Sequence, residues 1–336
     1  MKKTCVFGFV YALLFCSFCG CENKVQPYSQ NGFALDTAVS FTVYTTSQQK
    51  ADTAFSALFS ELFRLENLLS ATIPTSDIAR INAEKNAIVS PETVALLTVC
   101  QEVSARSNGA LDITVRPVSK LWQFNSRNPA VPAIDELKTA CQKVDYRQLH
   151  INDNGVILPD GYEIEPGGVA KGYIADCLRV VLQQQGIHCA IIDLGGNIVT
   201  VGNKQGENFA IGIKNPQNTT SLKAIVKVVD CAVVTSGNYE RCFIKDGVRY
   251  HHILNPKTGF PIQNTLASVT ILCHDSALAD ALSTACFVLG EDKAKVLLSS
   301  YENTSAVFIR QDGSIETVGL QTTEKQDGIA VFTRVV

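Results

Sequence analysis

Apolar residues recur along this chain with helical spacing in some segments and as short runs in others. Residues 52–69 carry a wide apolar stripe with the 3.6-residue period, which predicts an amphipathic helix packed on a core. A second helix is predicted where Ser90 and Pro91 offer a cap and a first turn, and it should end at Gly109. Further helices are predicted at residues 134–143, 169–185, 276–289 and 293–298.

Turn residues separate short apolar runs in the rest of the chain, which predicts strands. An opening strand is expected at residues 32–46, and a hairpin at residues 151–164 around Asn154 and Gly155. The other predicted strands are 190–194, 209–214, 222–229, 231–234, 241–245, 248–253, 266–272, 306–310 and 330–335. Residues 76–87 and 112–132 are expected to be irregular. This alternation favours an α+β fold with mixed or antiparallel sheets, packed helices and two intimately associated subdomains.

The first twenty residues have the pattern of an export signal. A positively charged start is followed by an uncharged apolar segment, residues 6–18, that is too short for a stop-transfer helix. A small residue precedes Cys21, as in bacterial lipoprotein signals, so Cys21 is the predicted lipidation site. An ordinary cleaved signal peptide is the alternative, and both forms are exported. Residues 21–31 are polar and are interpreted as a tether to a domain at residues 32–336.

Charge and cysteine usage narrow the function further. The net charge is −3 without a basic run, which argues against binding to nucleic acid. Eight cysteines follow Cys21, none of them in a CxxC pair, and most lie in apolar runs. They are therefore interpreted as small buried hydrophobes, rather than as a disulfide framework or a zinc site.

The predicted helix at residues 276–289 carries two candidate oxygen ligands whose spacing places them on the same face. Asp280 and Thr284 are four residues apart, so their side chains would lie together. A carboxylate and a hydroxyl suit a hard cation such as Mg²⁺, which usually shares its coordination shell with substrate phosphates. The alternative roles are a surface acid and a packed threonine.

The segment GGVAK, residues 167–171, has the composition of a phosphate-binding helix start. Gly167 and Gly168 would expose backbone N–H groups, and Lys171 adds a positive charge. A glycine-rich turn with an exposed lysine is the alternative. Together with the oxygen pair, this segment predicts a metal-assisted reaction at a phosphate.

A hydroxyl nucleophile at such a phosphate needs a base, and histidine has a suitable intrinsic pKa. His252, directly before Ile253, is the candidate, with substrate orientation as its alternative role. The adjacent His251 would point to the opposite side of an extended segment. The remaining histidines lie outside the candidate motifs.

Six blocks, in order and with matching spacing, resemble those of the FAD:protein FMN transferases, the ApbE-like flavin transferases. EPGGVAKGYIAD, residues 165–176, is similar to the family block DxGGxAKGxxxD. The other five are GALDIT (109–114), DLGGN (193–197), TSGNY (235–239), HHILNPKTG (251–259) and ADALST (279–284). The resemblance extends from about residue 32 to 290.

The resemblance implies a Mg²⁺-dependent enzyme that splits FAD at its pyrophosphate. The FMN half would be attached through a phosphoester to a Thr or Ser of an exported flavoprotein, and AMP would leave. Acceptors in the family are subunits of membrane redox complexes, such as the Na⁺-translocating NADH:quinone oxidoreductase and Rnf-type complexes. The implied location is the inner membrane, facing the periplasm, with Cys21 holding the lipid anchor.

The resemblance also implies which residues form the site. Catalysis is expected from His252 and Lys171, and metal binding from Asp280, Thr284 and the backbone oxygen of Ala170. The residues expected to contact FAD are Leu35, Ala110, Leu111, Asp112, Gly167, Gly168, Lys171, Ser236, Gly237, Asn238 and His252. For Asp112 the alternative is a capping role after Gly109, and residues 236–238 have a purely structural turn as their alternative.

Three residues depart from the family pattern. Asp36 stands where glycine leaves room beside the cofactor, Asn255 replaces an aspartate near the proposed base, and Glu165 replaces the aspartate that opens the glycine block. Two other functions also stay open. An FAD pyrophosphatase would use water in place of the threonine, and a non-catalytic lipoprotein would only bind FAD.

Overall fold

The structure is a computed structural model that describes residues 24–335, apart from residues 125, 127, 153, 154 and 205. The helices in this part of the chain are α1 Gln48–Leu69, α2 Asp77–Glu84, α3 Pro91–Arg106, α4 Arg116–Trp122, α5 Ile134–Cys141, α6 Gly167–Gln184, α7 Ser276–Leu289 and α8 Glu291–Leu298. The predicted signal, Cys21 and Asn154 lie outside the described residues.

The strands follow the same numbering in chain order. They are β1 Gln26–Ala34, β2 Thr37–Thr45, β3 Asn86–Ala87, β4 His150–Asn152, β5 Gly155–Ile157, β6 Ala190–Leu194, β7 Asn197–Val201, β8 Phe209–Asn215, β9 Asn218–Val228, β10 Ala232–Gly237, β11 Cys242–Lys245, β12 Val248–His251, β13 Leu266–Cys273, β14 Ser305–Arg310, β15 Ile315–Val318, β16 Leu320–Gln326 and β17 Ile329–Arg334.

An antiparallel sheet of eight strands, in the order β1-β2-β6-β7-β10-β13-β14-β15, forms the centre of the fold. Alternate residues of its strands enter two different cores, as the period of two in a strand requires. Val234 and Ile271 pack with the helices on one face, while Val233 and Leu272 pack with the sheet β16-β17-β9-β8 on the other. The predicted α+β fold with mixed and antiparallel sheets is confirmed.

Helices α6 and α7 pack against each other unusually closely at Gly172. A Cβ placed on Gly172 would lie 2.2 Å from the Ser276 carbonyl oxygen and 2.8 Å from the Asp280 Cβ. Glycine is therefore required here because a side chain would separate the two helices.

Gly172→Ala is expected to destabilise the protein by about 3 kcal/mol, because the clash involves backbone and cannot be relieved by a rotamer change. Gly167→Ala is the matched control, since its nearest neighbour would be the Glu165 Cγ at 4.0 Å. The control should be neutral or slightly stabilising, as alanine favours helix. Denaturant unfolding of both variants checks this, and equal stabilities would contradict the close packing.

The sequence-based assignment was wrong at several places. The strands β3, β7, β15 and β16 were not predicted, and the predicted opening strand is divided into β1 and β2. Residues 76–87 contain α2, which begins after a capping Ser76 whose Oγ accepts the Ala79 N–H at 3.0 Å. Residues 112–132 contain α4. Residues 26–31 of the predicted tether belong to β1, which pairs along its whole length with β2.

The cysteines in the described part of the chain form no disulfide bonds. All eight are free, and Cys100, Cys231, Cys273 and Cys286 are buried, which agrees with their interpretation as small hydrophobes. No helix there is both long and apolar enough to cross a membrane.

Candidate active site

The predicted oxygen ligand Asp280 lies buried on α7, against the first half of α6. Its Oδ2 accepts the backbone N–H of Gly172 at 2.9 Å. This contact brings Asp280 next to the helical turn that carries Ala170 and Lys171. A hydrogen bond from the α6 backbone to the α7 carboxylate thus brings the predicted carboxylate next to the predicted phosphate-binding segment.

Thr284 occupies the next turn of α7 and faces the start of α6. A Cβ added to Gly168 would lie 3.5 Å from the Thr284 Oγ1, in van der Waals contact, so the start of α6 lies directly beside this hydroxyl. The Ser236 Oγ lies 3.4 Å from the same Thr284 oxygen and 2.9 Å from the Ser283 Oγ. Ser236 therefore joins the oxygen cluster. Ser236 and Gly237 end the strand β10, so the tight turn predicted at residues 236–238 is wrong there, and their contact with FAD stays a prediction.

Burial raises the pKa of the Asp280 carboxyl to about 6. The positive charge of Lys171, the Gly172 N–H and the Asn197 side chain oppose that shift without cancelling it. A buried carboxylate with a raised pKa lacks sufficient positive charge around it. A nearby cation would therefore stabilise the charged form of Asp280.

The donor set fits Mg²⁺ rather than a metal that requires a full cage of side chains. In the described part of the chain, no group of three or more His, Cys, Asp or Glu side chains could hold a metal ion. Asp280 and Thr284 offer one carboxylate and one hydroxyl, with the Ala170 carbonyl nearby in α6. Mg²⁺ is typically held by one or two carboxylates, with phosphate and water completing its shell.

The two adjacent histidines have different surroundings. His251 is buried, its Nε2 bonds to the Ile262 carbonyl oxygen at 2.9 Å, and its Nδ1 accepts the Ile253 N–H at 3.3 Å. Both ring nitrogens of His251 are therefore used by the fold. The Nδ1 of His252, in contrast, is buried without a hydrogen-bond partner. The fold therefore leaves the Nδ1 of His252 unused, and its role as a base stays a prediction.

Burial, together with the charges of Arg241, His251 and Lys171, lowers the pKa of His252 to about 3. A backbone hydrogen bond with Glu240 acts in the opposite direction. Since Nδ1 has no partner, Nε2 is the nitrogen left for that bond, and a neutral ring would carry its lone pair on Nδ1. The sequence predicted a histidine near its intrinsic pKa, whereas the fold makes it a neutral ring.

The other predicted FAD contacts have mainly structural partners. Asp112 Oδ1 accepts from the Thr114 backbone and hydroxyl at 2.9 and 2.6 Å, and its Oδ2 accepts the Tyr146 N–H at 2.9 Å. Both oxygens thus serve a turn, which supports the capping alternative. Ala110 and Leu111 are buried beside it. Their contact with FAD stays a prediction.

Leu35 and Asp36 form the two-residue turn between β1 and β2. Both have positive φ, 53° and 57°, as a type I′ turn requires, and the Leu35 N–H donates to the Glu66 Oε1 at 2.7 Å. Aspartate tolerates this left-handed conformation better than most residues do. Asp36 is exposed, so its departure from glycine is accommodated locally.

Sequence reasoning did not assign roles to Asn197, Glu240 or Arg241. Asn197 lies in the block DLGGN and acts on Asp280, while Glu240 and Arg241 directly follow TSGNY and act on His252. Their positions in or next to the recognised sequence blocks were the only sequence feature that could have indicated a role in the site. Their effects depend on packing that the chain order does not show.

Comparison with known proteins places these features in a class. A curated relative from Treponema pallidum (strain Nichols), named FAD:protein FMN transferase, is 35% identical and covers 93% of each chain. A solved ApbE protein from Thermotoga maritima has 34% identity and a TM-score of 0.79, covering 87% of this chain and 96% of its own. A flavin transferase ApbE from Vibrio cholerae has 27% identity and a TM-score of 0.78, covering 88% and 97%. The chain is an enzyme of the transferase class.

The family follows from the match along the chain. The model of the ApbE family matches residues 35–309, which include every predicted site residue after the N-terminal segment. The chain belongs to the ApbE family, which confirms the resemblance seen in its six sequence blocks.

Proposed function

We propose that this protein is a Mg²⁺-dependent FAD:protein FMN transferase that modifies a Thr or Ser of an exported flavoprotein. The observation that carries the proposal is the convergence of Asp280, Thr284, Lys171 and the unpartnered His252 on one site. The names of the relatives support the reaction class.

Lys171 and the start of α6 would bind the pyrophosphate of FAD. The N–H groups of Gly167 and Gly168 lie in the first turn of an 18-residue helix, where the helix dipole favours a negative group. Lys171 is close enough to act electrostatically on both Asp280 and His252. It can therefore place positive charge between the metal ligand and the proposed base.

Asp280, Thr284 and the Ala170 carbonyl would hold Mg²⁺. When bound, the ion would neutralise the pyrophosphate and stabilise the departing phosphate. The chain supplies the buried carboxylate, and the absence of a Cβ at Gly168 leaves space beside the hydroxyl of Thr284.

His252 would accept the proton of the nucleophile through Nδ1. The acceptor hydroxyl oxygen forms a bond to the phosphorus of the FMN phosphate, and the bond from that phosphorus to the bridging oxygen breaks. AMP leaves with the bridging oxygen, while the hydroxyl proton passes to His252. A neutral His252 is ready to accept this proton. The negative charge of bound FAD would raise its pKa towards that needed by a base.

The proposed location rests on the pattern of the N-terminal sequence. We infer export, lipidation at Cys21 and anchoring to the inner membrane on its periplasmic side. The acceptors would then be exported flavoprotein subunits of membrane redox complexes, of the Na⁺-translocating NADH:quinone oxidoreductase or Rnf type. Radioactive palmitate should be incorporated into the wild-type protein recovered from membranes. The absence of label in Cys21→Ser would support lipidation at Cys21.

An FAD pyrophosphatase activity has one specific observation in its favour. The unpartnered Nδ1 of His252 can accept a proton from water as well as from a threonine. The same site would then release FMN and AMP without an acceptor. Hydrolysis is therefore proposed as a side reaction of the same residues.

Chromatography of FAD incubated with the protein and Mg²⁺, with and without an acceptor flavoprotein domain, tests the function. We expect AMP release to rise with the acceptor and FMN to become covalently attached to its Thr or Ser. Gly168→Ala should lower AMP release at least about tenfold, because its Cβ fills the space beside Thr284, whereas Gly167→Ala should have a smaller effect.

Three other outcomes would contradict the transferase. An equal rate of AMP release with and without the acceptor would show a pyrophosphatase. Labelling of an acceptor that lacks the target threonine would exclude the proposed linkage. FAD that stays bound and intact with both Mg²⁺ and acceptor present would show a carrier.

A further inference from the structure

Side chains of α6 bind the first turn of α7 at its backbone. Asp176 Oδ1 accepts the Ser276 N–H at 3.1 Å, and its Oδ2 accepts the Ala277 N–H at 2.9 Å. One turn later, the Arg179 Nη2 donates to the His274 carbonyl oxygen at 2.8 Å. Donors and acceptors at the start of α7 are thus both bound by a single turn of α6.

This contact differs from ordinary helix capping. The capping position of α7 is already filled by Asp275, whose carboxylate accepts the Leu278 N–H at 2.8 Å within the same helix. Asp176 reaches across from another helix to the two preceding N–H groups. Its bonds therefore fix one helix relative to the other, in addition to satisfying free N–H groups.

The contacts between α6 and α7 repeat every four residues. Gly168 faces Thr284, Gly172 contacts both Asp280 and Ser276, and Asp176 binds Ser276. Moving four residues along α6 corresponds to moving four residues back along α7, as expected for two antiparallel helices with faces of period i, i+4. The same register thus connects the candidate site to the start of α7.

Only one of these three α6 positions has a side chain able to hold the register. Gly168 and Gly172 permit close approach, but glycines contribute no side-chain anchor. Asp176 makes two bonds to the backbone of α7. The Ser276 Oγ also donates to the buried Asn197 Oδ1 at 3.0 Å, but this bond joins α7 to β7 and not to α6.

We propose that Asp176 is a positioning residue that sets the register of α7 against α6. Through this register it places Asp280 and Thr284 opposite Gly172 and Gly168, beside Lys171. The inference rests on the proposed function only for the role of Asp280 and Thr284 in binding Mg²⁺.

Asp176→Asn tests the proposal with little change in side-chain volume. The amide keeps one acceptor oxygen but turns an NH₂ group towards the second backbone N–H. Asp275→Asn is the matched control, because it removes a neighbouring carboxylate charge at the same helix start while leaving both bonds of Asp176 to α7 in place. Thermal unfolding first establishes how much each variant is destabilised.

Two measurements then separate positioning from helix capping. Hydrogen exchange in the metal-free protein should become faster over residues 276–284 and in the facing part of α6 for Asp176→Asn. For Asp275→Asn the change should be confined to the first turn of α7. Calorimetric Mg²⁺ titration in the presence of FAD should show affinity about tenfold weaker in Asp176→Asn and within about twofold of wild type in Asp275→Asn.

Equal exchange patterns in the two variants, or an unchanged Mg²⁺ affinity in Asp176→Asn, would overturn the positioning role. A wild-type protein that binds no Mg²⁺ would instead overturn the proposed cation site. In that case the exchange patterns alone would still decide whether Asp176 sets the helix register.

Discussion

Asp280→Asn is expected to abolish Mg²⁺-dependent cleavage of FAD while stabilising the metal-free protein. Burial raises the folded-state pKa of Asp280 to about 6, above its ordinary value of 3.8. The folded state thus holds this proton more tightly than the unfolded state does, and stability is lost as the pH rises through 6. At pH 8 the charged carboxylate should cost roughly 3 kcal/mol, which asparagine avoids while still accepting the Gly172 N–H.

Thermal unfolding at pH 4 and pH 8, with and without Mg²⁺ and FAD, checks this prediction. The variant should gain stability relative to wild type at pH 8 and little at pH 4, where the wild-type carboxyl is protonated. Asp176, whose pKa is also raised to about 6 by burial, is present in both proteins and cancels in the difference. Ligand should raise the melting temperature of wild type alone. A variant less stable than wild type at pH 8 would show that the carboxylate contributes to folding.

Elements with strong boundaries could be predicted from the sequence. The bounds of α7 agree with the predicted segment because a long apolar run lies between Asp275, which caps it, and Gly290, which ends it. The strand β16 was missed because nearly all its residues are exposed, so it has no alternating apolar face to detect. Short helices such as α2 depend on a single capping residue and on packing, which gives a weak pattern.

The candidate site likewise has features that local spacing predicts and features that depend on tertiary packing. The spacing of Asp280 and Thr284 places them on one helix face whatever the rest of the fold, so local geometry was sufficient. Their relation to Gly168 and Gly172 depends on the packing of two helices about a hundred residues apart in the chain. The pKa of His252 depends on burial and on Arg241 and Lys171, which only the folded chain brings near the ring.

His252→Gln is expected to lower the rate of FMN transfer by about 10²- to 10⁴-fold with little loss of stability. The substitution removes a proton acceptor that has no protein partner at Nδ1. His251→Gln is the matched control, because it disrupts the two hydrogen bonds of a buried ring and its edge-on contact with Phe287. That control should cost about 2 to 4 kcal/mol of stability. Rates and unfolding free energies of the two variants test the contrast, and similar losses in both would contradict it.

The pH dependence separates the base from the metal ligand. His252 in the free protein has a pKa of about 3, so it stays neutral throughout the range in which Asp280, with a pKa of about 6, loses its proton. The acidic limb of kcat/KM near pH 6 should therefore belong to Asp280, and His252→Gln should retain it in its residual activity. Because Mg²⁺ competes with that proton, raising the Mg²⁺ concentration should move the limb to lower pH. A limb that disappears in His252→Gln, and that Mg²⁺ does not move, would assign it to the histidine and contradict a neutral ring.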